Sequence, residues 1–162
     1  MWLDRLDAPG AERRLIRGGT EEIVEGVTAV KAGGHFDGSL VLHWEDKLFI
    51  ADTLVTVPVS DYLETGAVLA DGLQSAYYQV DRQPGTTSYA FMWAIPNFIP
   101  LPPDEIMKIW RALRPFEFAT THGAFMGMDV RDKRVKERVL ESMKIQIRAE
   151  GYKSHELLDE SC

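Results

Sequence analysis

The chain has 162 residues, 45% hydrophobic and 27% charged, the makeup of one ordinary globular domain. Its net charge of −7 excludes the basic surface that broad binding to nucleic-acid phosphates requires. A single cysteine, Cys162, excludes an internal disulfide, and no window has the uncharged length of a membrane span. A cytoplasmic protein with neither a nucleic acid nor a membrane as partner is therefore expected.

Residues 1–8 read as the closing turns of a helix stopped by Pro9-Gly10, and a chain that opens in mid-helix suggests that an upstream part is absent. Short β-like runs follow at Arg14 to Arg17, Glu22 to Val24 and Val27 to Lys31, punctuated by Gly18-Gly19 and Gly26. The strongest local signal is a β-hairpin over 39–51: Ser39 to Trp44 is one strand, Glu45-Asp46 the turn, and Lys47 to Ala51 the return. The second run is continuously apolar, which predicts burial on both faces.

Residues 55–102 show no clear period and include an aromatic loop over 76–101 with Tyr77, Tyr78, Tyr89, Phe91, Trp93 and Phe98. These rings could line a substrate pocket, but aromatics mostly serve burial, so core or dimer surface is the expected role. Within this stretch, residues 59–74 read as a non-native insertion. Val59-Ser60 can be encoded by a splice-donor hexamer and Gln74 by the acceptor CAG, so a translated intron and a genuine surface insertion both stay open.

Pro103-Asp104-Glu105 opens a helix over 103–113 with Ile106, Ile109, Trp110 and Leu113 on its apolar face. Phe116 to Thr121 reads as a strand running into His122-Gly123. A last helix over 129–150 places Val135, Val139, Leu140, Met143 and Ile147 on one face, and Gly151 closes it. The charged run from Arg131 to Arg138 reads as its solvated side.

Of the four histidines, His43 and His155 read as structural or exposed. His35 sits in a tight loop, Gly33-Gly34-His35-Phe36-Asp37-Gly38-Ser39. Asp52 follows an apolar strand in Ile50-Ala51-Asp52-Thr53, and His122 ends another in Thr120-Thr121-His122-Gly123. Imidazole and carboxylate are the usual zinc donors, strand ends hold ligands rigidly, and a neighbouring glycine permits close approach. The same residues also suit plain structure: an aspartate after a strand serves as a cap or turn residue, and Gly-His-x-x-Gly makes a bare tight turn.

In order and spacing, Gly34-His35-Phe36-Asp37-Gly38-Ser39, the hairpin, Leu48 to Thr53, a helix and Thr121-His122-Gly123 resemble the second half of the metallo-β-lactamase superfamily pattern. The resemblance covers most of residues 14–150. It implies an αββα sandwich in the complete protein, of which the whole chain would be one partial α/β domain. It implies that His35 and His122 each bind one metal and that Asp52 bridges two zinc ions. Phe36-Asp37 stands where the family commonly has Thr-Pro, and Ala51 where it commonly has glycine. The family's His-x-His-x-Asp-His motif does not occur, and no histidine precedes His35. The resemblance thus implies a metal-dependent hydrolase that is truncated, with partial or no zinc binding and little turnover by the chain alone. The small-molecule substrate is not named by it. The competing expectation is a non-catalytic fold remnant that self-associates or serves as an interaction module.

Overall fold

The computed structural model describes residues 15–57, 85–125 and 128–162. The helix end expected over 1–8, the insertion expected over 59–74, and Tyr77 and Tyr78 lie outside the described residues.

The fold is mixed α/β. A six-stranded sheet has the order β1-β2-β3-β4-β9-β10, with β1 (Thr20–Val24), β2 (Val27–Lys31), β3 (Leu40–Trp44), β4 (Lys47–Ala51), β9 (Thr120–Gly123) and β10 (Val130–Arg131). All neighbours pair antiparallel except β4 and β9, which are parallel. Between those two strands the chain makes two small ladders. One joins β5 (Val55–Thr56) to β6 (Tyr89–Ala90), the other β7 (Met92–Ala94) to β8 (Ile99–Pro100). It then makes helix α1 (Pro103–Leu113); helix α2 (Val135–Ala149) follows β10, and a short 3-10 turn (Glu156–Asp159) comes last.

The hairpin stands where the sequence places it. Glu45 takes the left-handed φ of 55° that a two-residue turn needs, and Lys47 pairs with both Glu45 and Asp46. Helix α1 has proline at its start and acids in its first turn, and it buries Ile106, Ile109, Trp110 and Leu113 as its period predicts. Helix α2 buries Val135, Val139, Leu140, Met143 and Ile147, and Gly151 follows it at φ 96°.

Several expectations are corrected. Arg14 to Arg17 forms no strand over its described part; pairing with β2 begins at Thr20 instead. The strand expected over 116–121 starts only at Thr120, because Phe116 to Ala119 turns the chain out of α1. The helix expected from 129 starts at Val135, because Val130-Arg131 pairs with β9. β4 is not buried on both faces: Leu48 and Ile50 are fully buried, while Phe49 between them is 37% exposed. The Arg131 to Arg138 run is not uniformly solvated either. Arg138 is buried, paired with Asp132 at 3.0 Å and donating to Ser88 Oγ.

Both helices share one core with a single face of the sheet. Val30, Val41, Leu48 and Ile50 pack in the same cluster as Ile106, Trp110, Val139 and Met143. The opposite face carries Leu40, Trp44 and Phe49, all partly exposed. The aromatic loop divides along the same line. Tyr89 and Phe91 are fully buried, whereas Trp93 and Phe98 face solvent.

Candidate functional site

Strand direction decides where the candidate ligands fall. β2 is antiparallel to β3, β3 to β4, and β4 is parallel to β9, so β2, β4 and β9 run the same way and end on one edge. His35 lies in the loop after β2, Asp52 directly after β4, and His122 one residue before the end of β9. From β2 to β9 that edge spans roughly 14 Å at the usual inter-strand spacing.

Glycines beside both histidines are demanded by packing. Gly34 has φ 88°, and a Cβ there would stand 2.8 Å from Ile109 Cδ1 and 3.2 Å from Leu101 Cδ1. The loop carrying His35 is thereby pressed onto the start of α1. A Cβ on Gly123 would stand 2.5 Å from Met128 Cβ, so the strand after His122 passes tightly against its neighbour.

His122 sits in a row that crosses the open face of the sheet. Leu42 pairs with Phe49, and Phe49 with His122, whose ring stacks on it at 4.9 Å between centroids. On the other side the His122 Nδ1–H donates to Asp129 Oδ1 at 3.1 Å. Thr121, the next residue along β9, points the other way, where its hydroxyl meets the Tyr89 hydroxyl in the core. His35 faces different surroundings, beside α1 and the β7–β8 ladder. Its Nδ1 donates to the Met92 carbonyl at 3.3 Å.

The acceptors fix the tautomers. A carbonyl and a carboxylate only accept, so His35 and His122 both carry a proton on Nδ1; in the neutral ring, Nε2 is then the nitrogen left with a lone pair. Neither Nε2 makes a hydrogen bond among the described residues. The other two histidines differ. His43 spends Nε2 on the Glu117 carbonyl, and His155 uses Nε2 on Asp104 and Nδ1 to accept from the Leu157 amide. Both are structural, as their sequence context suggests.

Around Asp52 the backbone is strained: Ala51 takes φ 43° in the left-handed region. Thr53 is buried, and its Oγ1 is the one buried side-chain polar atom without a partner among the described residues. In number alone, two imidazoles and one carboxylate equal the three protein ligands of one catalytic zinc, and they are too few for two. Among the described residues, no three His, Cys, Asp or Glu side chains stand close enough to hold one ion. The fold brings His35, Asp52 and His122 to one edge without closing them into a cluster.

Next to His35 an open cavity of about 400 Å³ is lined by Phe36, Asp37, Trp93, Leu101 and Glu105. Sequence reasoning left out Asp129 and the Met92 carbonyl; it offered Trp93 as a pocket residue without placing Phe36, Asp37 or Glu105 beside it. The Asp129 contact had a readable signal only once β9 and β10 were paired: Val130 opposite Thr121 puts Asp129 opposite His122. Among the described residues no helix is long and apolar enough to cross a membrane.

The chain matches no family model. No solved structure matches it. It is similar to the uncharacterized protein YmaE of Bacillus subtilis (strain 168), 29% identical over 142 residues, a match that covers 88% of this chain. The chain spans only 41% of that relative's length.

Proposed function

We propose that the chain is the C-terminal, metal-binding part of a metallo-β-lactamase-fold hydrolase, with His35, Asp52 and His122 as zinc ligands. The state of the four imidazoles carries this reading. The two histidines chosen as ligands have Nδ1 anchored and Nε2 free, as metal-binding histidines do, while His43 and His155 have spent theirs. The fold is consistent with it: helices cover one face of a mixed sheet whose other face carries the partly exposed Leu40, Trp44 and Phe49, as in one half of an αββα sandwich. Zinc bound at this edge would supply a water acidic enough to give hydroxide near neutral pH. Asp129 would hold the His122 ring in its ligand tautomer, and the Met92 carbonyl would do the same for His35.

The test is a zinc titration of metal-depleted protein, read by elemental analysis and by the imidazole nitrogen resonances. At most one equivalent should bind, shifting the Nε2 signals of His35 and His122 and leaving those of His43 and His155 in place. Hydrolysis of esters or lactams should stay at background, since the front ligands are missing. Zinc uptake that survives a combined His35→Ala and His122→Ala substitution would remove the ligand assignment.

The exposed row of Leu40, Trp44 and Phe49 favours the second reading, a fold remnant that associates through its open sheet face. Sedimentation separates the two: under that reading Trp44→Glu with Phe49→Glu converts an oligomer to a monomer, and zinc is not retained.

A further inference from the structure

We propose that the cavity between Phe36 and Trp93 is a binding site for a small organic cation, an alkylammonium or quaternary ammonium group. Its wall includes His35, so it adjoins the proposed zinc edge, but none of its contacts needs a metal.

Two large rings border the same cavity and are left uncovered: Phe36 is 67% exposed and Trp93 58%. Both stand on anchored backbone. Phe36 donates its amide to Ser39 Oγ and meets the His35 ring edge-on at 4.3 Å. Trp93 lies on β7, next to Met92, whose carbonyl is tied to His35. Leu101 forms an apolar wall, and Asp37 and Glu105 stand at the rim. The volume falls within the roughly 300–1,000 Å³ usual for small-ligand sites.

Charge decides which ligand suits it. The cavity opens at the start of α1, whose dipole contributes about half a positive charge there and would by itself favour an anion. Asp104 and Glu105 occupy that first turn and oppose it. Lys108 is paired with Glu105 on the surface, and such an exposed pair holds its partners weakly. The Lys108 ammonium is held above the usual lysine value, first by its hydrogen bond to Glu105 and then by the charges of Glu105, Asp104 and Asp37, so the local field is acidic. Asp37 has no hydrogen bond or ion pair among the described residues. An organic cation satisfies both features at once, with its positive group over the ring faces and a carboxylate alongside. A bare metal ion would leave the two rings without a role, and a neutral apolar ligand would leave Asp37 without one.

The experiment uses the 162-residue chain kept metal-free with a chelator, so a failed zinc reading leaves its outcome intact. Choline is titrated while the indole N–H resonance of Trp93 is followed, and 3,3-dimethylbutanol, its neutral carbon isostere, is titrated in parallel. Choline should shift the Trp93 signal saturably and bind about tenfold more tightly than the isostere. Asp37→Asn should weaken choline several-fold by the Trp93 signal, and Trp93→Leu several-fold by the backbone amide signals of Phe36 and Asp37; both substitutions are at exposed positions where folding is not at stake. Equal affinity for choline and the isostere would overturn the proposal in favour of an apolar groove. Saturable binding of acetate or phosphate in place of choline would overturn it in favour of a helix-end anion site. A Trp93 signal that choline leaves unmoved would overturn it outright.

Discussion

Replacing Gly34 by alanine perturbs the point where the His35 loop is pressed onto helix α1. Two costs act together. Gly34 has φ 88°, a left-handed backbone that costs an ordinary residue about 1–2 kcal/mol. The added Cβ would stand 2.8 Å from Ile109 Cδ1 and 3.2 Å from Leu101 Cδ1. Ile109 and Leu101 are 0% and 2% exposed, so neither side-chain end can swing into solvent, and overpacking of this kind costs about 1–3 kcal/mol. The stiffer unfolded chain returns about 0.4–1 kcal/mol. A net loss of about 1–4.5 kcal/mol follows, which at this chain length lowers Tm by roughly 2–18 °C. Urea unfolding followed by circular dichroism measures it. A double-mutant cycle with Ile109→Val then isolates the clash, since valine lacks the offending methyl. Ile109→Val alone should cost about 0.5–1.5 kcal/mol, yet be neutral or stabilising beside Gly34→Ala. The reasoning fails if Gly34→Ala stays within about 0.5 kcal/mol of the parent, or if Ile109→Val costs the same in both backgrounds.

Ala51→Gly should stabilise by about 0.5–1 kcal/mol, because it relieves φ 43° at an exposed position where little packing is lost; a lower Tm would show that the strand end is not strained. Ser142→Ala should cost about 1–3 kcal/mol, since the buried Ser142 Oγ accepts from the Ser88 and Tyr89 amides. Hydrogen exchange at those two amides should speed up with it, and unchanged exchange would show that α2 does not anchor β6. Burial pushes the Cys162 thiol up, with Lys136 opposing, so less of it is thiolate at pH 8. Its alkylation there should be slower than that of glutathione and recover as pH rises, whereas faster alkylation would mean that the positive charges nearby prevail.

The candidate site was partly legible because its signals are local. Each candidate ligand stands at or shortly after a strand end beside a small residue, and Gly34 and Gly123 could be read as close-approach positions from their place next to histidines. The support of the site was not legible. Asp129 follows His122 by seven residues, and no local sequence signal ties the two; it becomes a partner only because β10 folds back along β9. His35 and Met92 are 57 residues apart, and nothing in either segment announces their contact.

The sequence by itself determined the hairpin over Leu40 to Ala51 and both helices. Their signals are a turn between two apolar runs, a proline and acids at a helix start, and a 3.6-residue period, and each acts over a few neighbouring residues. Only the tertiary structure decided the parallel pairing of β4 with β9, the exposure of Phe49 within an apolar run, and the burial of Arg138 within a charged one. Those outcomes depend on what covers a face. An apolar β-strand offers an apolar set of side chains to each of its two sides, and a charged helical run offers no mark of its buried member, until packing with distant segments chooses which side meets the core and which meets water.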